Sequence, residues 1–191
     1  MRMFKVLILV VLLGCLCSCT RYLDIPSSRG QMVLDRDSSA IVFHRGYNEL
    51  LWKSNTKFSR DRDEFSPAKF TMRLPKGIKD YQIQNSEDFA FYYSKQQILY
   101  LMVPMDLEKP LGDTLYTPSS DQLDKLLSMR FMGQKTVLHP DVGNYIYVNP
   151  ERVQKVLRVG NATIVLYNVE KQNYHDFLDL VKQIKFISGV H

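Results

Sequence analysis

The chain of 191 residues carries 25 lysines and arginines against 20 aspartates and glutamates. The two signs interleave, as in Arg60-Asp61-Arg62-Asp63-Glu64 and Asp35-Arg36-Asp37, so there is no one-signed stripe of the kind that tracks nucleic acid. All three cysteines stand within the first nineteen positions, so the rest of the chain holds no thiol and forms neither a disulfide nor a cysteine-ligated metal site.

In chain order the first element is a basic head, Met1-Arg2-Met3-Phe4-Lys5, then an apolar run from Val6 to Cys17, then Ser18-Cys19-Thr20-Arg21. These are the three parts of a secretory signal. The run falls short of the roughly twenty residues that cross a hydrocarbon core. Leu16-Cys17-Ser18-Cys19 resembles the lipobox of bacterial lipoproteins, which has an apolar residue three before the modified cysteine and a small residue directly before it. Leu12-Leu13-Gly14-Cys15 matches as well, so Cys15 is the alternative site. Cys19 is preferred because cleavage before Cys15 leaves Leu16-Cys17 on the new end and shortens the apolar region.

The resemblance implies a signal peptide over 1–18, a diacylglycerol on the Cys19 thiol and a chain bound to an envelope membrane. No cofactor besides that covalent lipid is expected. Acyl chains anchor by about 0.8 kcal/mol per buried CH₂. Thr20, where sorting rules would need Asp for retention, implies the outer membrane with the domain facing the periplasm. Loss of 1–18 takes Arg2 and Lys5 away and leaves 23 basic against 20 acidic residues, close to balance.

Residues 19–39 contain Pro26-Ser27-Ser28-Arg29-Gly30 and little periodicity, which reads as a loosely ordered tether. A single domain is expected over 40–188. Ala40–His44 and Tyr47–Trp52 flank Arg45-Gly46 and read as a hairpin, and 53–67 reads as a polar loop. Phe70, Met72 and Leu74 alternate with Thr71 and Arg73, a half-buried strand. Tyr81–Gln84 and Phe89–Tyr93 repeat the alternation around a turn at 85–88. Ile98–Val103 is apolar on both faces, so it belongs in the middle of a sheet.

Residues 107–116 read as a connection, after which Thr117 caps and Pro118 opens a helix with Leu123, Leu126, Leu127 and Phe131 on one stripe. Gly133 is its expected stop. Tyr145–Val148 is a short strand. Gly160-Asn161 between two β-branched runs is the strongest hairpin signal. Tyr174, Phe177, Leu178, Val181 and Ile184 define a closing amphipathic helix.

Hairpins imply antiparallel pairing, so the expected class is α+β, a mainly antiparallel sheet flanked by two amphipathic helices. The segments Phe70–Gly77 and Phe177–Phe186 resemble the opening and closing segments of the PsbP and Mog1-like fold, whose members are mostly binding or assembly modules.

Sites of chemistry are sparse. His175 and Asp179 lie one helical turn apart with Asp176 beside them, yet the apolar stripe turns them toward solvent and a metal needs a further ligand. His139-Pro140-Asp141 reads as a turn. Asp61, Asp63 and Glu64 lack the glycine of an EF-hand loop and are neutralised by Arg60 and Arg62. Ser66, Ser94 and Ser128 have no nucleophile elbow, and His44, His139, His175 and His191 complete no triad. Asn161-Ala162-Thr163 matches a glycosylation sequon by chance within a hairpin. Tyr92 and Tyr147 would form a glycan- or peptide-binding platform if they projected outward, although aromatics on strands usually pack.

The leading expectation is therefore a non-catalytic envelope lipoprotein that binds another envelope protein. A glycan- or peptide-binding lipoprotein comes second and an enzyme third.

Overall fold

Two runs of alternating and fully apolar sequence fold into two antiparallel sheets that share one core. The computed structural model describes residues 22–24, 30–34, 39–54, 58–60, 63–65, 67–84, 87–104, 112–131 and 149–187. Cys15, Cys19, His139–Asp141, Tyr145–Val148 and His191 lie outside them.

The first sheet has the order β1 (Gly30–Val33), β2 (Ala40–Phe43), β3 (Asn48–Trp52), β6 (Phe70–Leu74), β13 (Lys185–Phe186). A separate hairpin pairs β4 (Phe58–Arg60) with β5 (Asp63–Phe65). The second sheet runs β10 (Thr114–Tyr116), β11 (Val153–Val159), β12 (Ala162–Val169), β9 (Ile98–Met102), β8 (Asp88–Tyr92), β7 (Asp80–Gln84). Two helices complete the described fold, α1 (Ser120–Phe131) and α2 (Tyr174–Val181). The class is α+β with antiparallel sheets.

Alternation decides the first sheet. Phe70, Met72 and Leu74 are fully buried while Thr71 and Arg73 are half-buried. They meet Leu50 and Trp52 of β3 and the inner face of the second sheet, including Phe89, Phe91, Leu99, Leu101, Ile164 and Leu166. Phe89 holds the two sheets together most directly. Its ring stands edge-on to Trp52 at 5.0 Å and to Phe70 at 5.4 Å. Such pairs add about 0.5–1.5 kcal/mol beyond the area they bury.

The second sheet is buried on both faces where β8, β9 and β12 lie side by side. Its outer face carries Ala90, Tyr92, Tyr100, Met102, Val165 and Tyr167, with Leu123 of α1 packed among them. For this reason β8 is buried at every position and does not follow the expected alternation. Helix α2 packs on β6 and β12, one strand from each sheet. It sends Phe177, Leu178 and Val181 into the shared core.

The β11–β12 hairpin closes at Gly160-Asn161 with Val159 opposite Ala162, and Gly160 takes φ 55°, the left-handed region that glycine enters freely. The β2–β3 hairpin turns through Arg45-Gly46, and the His44 amide donates to the Tyr47 carbonyl at 3.0 Å. Other expectations are corrected. Residues 53–67 contain the β4–β5 hairpin, and the stretch read as a connection ends in the edge strand β10, held by Val156 to Arg158 of β11. Helix α1 starts two residues after the expected position because Ser119, not Thr117, caps it. The Gln122 amide donates to Ser119 Oγ at 3.2 Å and the Ser119 amide to Gln122 Oε1 at 3.0 Å, a reciprocal capping box. The closing helix ends at Val181, short of the expected Ile184, and Phe186 beyond it pairs with Phe70 at the sheet edge.

The segment read as a loose tether is ordered in two places. Gly30–Val33 pairs with all four residues of β2, and Leu23-Asp24 is fixed against the β6–β7 connection, with the Leu23 amide donating to the Ile78 carbonyl at 2.8 Å. Backbone pairing is joined by burial: Leu23, Met32 and Leu34, apolar residues within the segment, pack against the shared core.

Candidate functional site

The site is built from three pieces that meet at one end of the sandwich. The first is a clip around Asp24. This carboxylate is fully buried. Asn48 Nδ2 donates to Asp24 Oδ2 at 2.6 Å and to the Pro75 carbonyl at 3.0 Å, and the Gly77 amide donates to the same Oδ2 at 2.8 Å. Lys76 Nζ crosses above, donating to Asn48 Oδ1, the His44 carbonyl and the Asp24 carbonyl at 3.0–3.3 Å, 4.0 Å from the carboxylate. Burial of a charge requires such donors. Asp24 Oδ1 has no hydrogen-bond partner among the described residues. Gly77 adopts φ 93°, which lets its amide turn into the carboxylate.

The second piece is the turn from Tyr93 to Gln97. Lys95 and Gln96 both sit in the left-handed region, at φ 58° and 61°, a conformation that persists in non-glycine residues only when the surroundings fix it. Here Gln97 does so. Its backbone carbonyl accepts from the Tyr93 amide at 2.9 Å, its Nε2 donates to the Ser94 carbonyl at 3.1 Å, and its Oε1 accepts from the Glu170 amide at 3.0 Å and from Asn173 Nδ2 at 3.2 Å. Lys95 Nζ pairs with Glu170 at 2.8 Å, and an Arg152 Nη1 proton goes to the Lys95 carbonyl. Asn168, also left-handed at φ 53°, accepts at Oδ1 from the Asn149 amide and Gln154 Nε2.

The third piece is α2, which presents Asn173, Asp176, Phe177, Asp179 and Leu180. Between these pieces lies a groove of about 630 Å³, its opposite side made by Tyr22, Gly46, Pro75, Lys76 and Gly77 and its floor by Tyr93. The Tyr93 ring meets Phe177 edge-on at 4.9 Å and its hydroxyl donates to the Pro75 carbonyl at 3.4 Å. Burial, with a smaller contribution from the Asp24 carboxylate, pushes the Tyr93 hydroxyl well above the usual tyrosine range, so it stays a neutral donor. The groove thus offers three aromatic rings, Tyr22, Tyr93 and Phe177, amide and hydroxyl groups for hydrogen bonding, Lys76 on one side and the carboxylates of Asp176 and Asp179 on the other.

Few residues singled out from sequence fall here. Ser94, Asp176 and Asp179 line the groove, while His175 on the same helix is exposed and absent from the lining. Asp63 and Glu64 lie in β5. Among the described residues no three His, Cys, Asp or Glu side chains gather as metal ligands would, and no described helix is long and apolar enough to cross a membrane. The platform residue Tyr92 does not project outward. It is only 4% exposed, packed on the outer face of the second sheet, with its hydroxyl 3.3 Å from Gln82 Oε1. Its partner in that reading, Tyr147, is outside the described residues.

Tyr92 carries a measurable consequence. Burial, and secondarily the Asp80 carboxylate, push its hydroxyl up to about 12, against roughly 10 in an unfolded chain. Below about pH 10 both states hold the proton. Above it the unfolded chain ionises first, so stability falls as pH rises, toward about 3 kcal/mol in all once the folded group titrates as well. Urea unfolding near pH 8.5 and pH 11 should show about half of this drop, roughly 1.4 kcal/mol, and Tyr92→Phe should reduce it. An equal drop in the variant would reject the assignment.

Asp24, Asn48, Lys76 and Gln97 gave no signal in the sequence. The nearest hints were apolar residues inside the tether stretch, Tyr22-Leu23, Ile25 and Met32-Val33-Leu34. Comparison with protein-family models, curated proteins and solved structures finds no match to this chain.

Proposed function

We propose that this chain is a lipid-anchored envelope protein whose groove binds a segment of another envelope protein without catalysis. The groove carries the reading. It combines aromatic floor, fixed amide groups and two walls of opposite charge, the mixture that holds a peptide. The lipobox ending at Cys19 supports the address, with Cys15 as the alternative and the outer membrane, periplasmic side, as the destination. In this reading both helices are amphipathic covers, α1 over the second sheet through Leu123 and α2 between the sheets, and residues 40–188 with the ordered part of 19–39 act as one binding unit. The glycan platform on Tyr92 is not carried forward, because that ring is packed.

A photoreactive amino acid at Ser94, compared with one at the exposed Lys125 of α1, tests this in living cells. The expected result is a discrete adduct with one envelope protein from position 94 only, abolished when Asp176→Trp fills the groove. Adducts alike from both positions, or none from position 94, would refute the reading.

A further inference from the structure

The link between lipid and domain is far shorter than the sequence suggests. Leu23 is hydrogen-bonded to Ile78, and Asp24 is buried among Asn48, Lys76 and Gly77. If Cys19 bears the lipid, as proposed above, only Thr20 and Arg21 separate it from Tyr22, three chain steps with a reach of about 10–11 Å at full extension. Whatever path those residues take, the Tyr22 end of the domain stays within about 10–11 Å of the lipid-bearing cysteine, and so close to the headgroups.

That end is chemically asymmetric. One lip of the groove carries Tyr22, Gly46 and Lys76, the last held in the Asp24 clip, with exposed Arg45 next to Gly46 in the β2–β3 turn and Lys79 beside Tyr22, its ammonium 5.8 Å from the ring centre. Arg21 precedes Tyr22 in the sequence. Most acids nearby are buried, paired or across the groove. Asp24 is buried and Glu49 meets His44 at 3.4 Å. Asp80 accepts from the Tyr81 amide but is exposed, so its charge stays beside Lys79 and offsets part of the basic lip. Asp176 and Asp179 stand on α2, across the groove.

From leash length and charge together we infer that the Tyr22–Arg45–Lys79 lip seats on anionic phospholipid headgroups of the anchoring leaflet, with the acidic α2 lip turned to water. A tyrosine at the headgroup level and basic side chains against anionic lipid are the groups that such a boundary selects. The groove then opens at the membrane surface, where its partner must approach along the bilayer.

Single-cysteine labelling of the full acylated protein tests this, because Cys19's own thiol is occupied by the lipid. Gly46→Cys is suitable: an added Cβ there meets nothing within 4 Å. Thr114→Cys is the control, at the strand end beside Arg158, roughly 20 Å along β12 from the groove end. Each is labelled with an environment-sensitive fluorophore and reconstituted into phosphatidylcholine vesicles, with or without phosphatidylglycerol, that contain a nitroxide-headgroup lipid. The expected result is short-range quenching at position 46 about threefold above that at 114, strongest with phosphatidylglycerol and brought down to the neutral-lipid level by Arg45→Glu with Lys79→Glu.

Equal quenching at the two positions, or quenching at 46 indifferent to lipid charge and to charge reversal, would overturn the inference and leave this lip to a protein partner. Intact mass is read on the same samples. A free Cys19 would remove the anchor reading, and this inference with it; an acylated protein with equal quenching would remove this inference alone.

Discussion

Phe89→Ala is expected to cost about 3–5 kcal/mol, the range for removing a fully buried phenylalanine ring. Phe89 is fully buried on β8 and meets Trp52 of β3 and Phe70 of β6, so its loss opens a cavity between the sheets and deletes two edge-on ring contacts. Domains of this size have about 5–15 kcal/mol in total, so the variant should unfold at a much lower urea concentration with an unchanged slope. Leu115→Ala is the matching control. Leu115 is 43% exposed at an edge strand, and its truncation should change stability by less than about 0.5 kcal/mol. A Phe89→Ala midpoint close to that of the control would mean that the two sheets do not share this core.

The second large effect concerns Asp24, a residue five positions after the proposed lipid. Were 19–39 a loose tether, Asp24→Ala would be silent. The clip predicts a loss of about 2–4 kcal/mol, since the variant leaves the Gly77 amide without its acceptor, takes one acceptor from Asn48 Nδ2 and removes the counter-charge of Lys76. Lys76 is 26% exposed and keeps three oxygen acceptors, which places the figure below that of a fully buried pair. Asp24→Asn keeps one acceptor oxygen and should fall between. Urea unfolding checks the magnitude, and amide hydrogen exchange at Leu23 and Gly77 checks the place. Stability equal to wild type, with slow exchange retained at both amides, would show that the clip contributes nothing.

Local pattern made much of the fold legible. Phe70, Met72 and Leu74 announce a half-buried strand by period alone, Gly160-Asn161 announces a hairpin, and the doubly apolar Ile98–Val103 announces the middle of a sheet; each stands where the pattern puts it. What the pattern could not show is pairing at a distance. Gly30–Val33 becomes a strand because β2 offers it an edge, and β8 loses its alternation because a second cluster covers its outer face. The capping box moved the start of α1 because Ser119 has a glutamine three residues on and Thr117 does not.

The groove was less legible still. Its fixed points are Asp24, Asn48, Lys76, Gln97 and Asn173, polar residues far apart in the chain, whose value comes from partners 24 to 76 positions away. Polar residues in a sequence look alike whether solvated or buried, and only the fold tells them apart. The same ambiguity made Tyr92 look like a platform, because an aromatic residue on a strand reads identically on either face.

The anchor at Cys19 underlies both the address and the short leash. Intact mass and membrane fractionation of wild type against Cys19→Ala test it most directly. The account predicts that wild type gains lipid mass and sediments with membranes, while the variant does neither. A variant that still carries lipid and sediments as wild type does would contradict it, moving the modification to Cys15 or the attachment to an uncleaved leader.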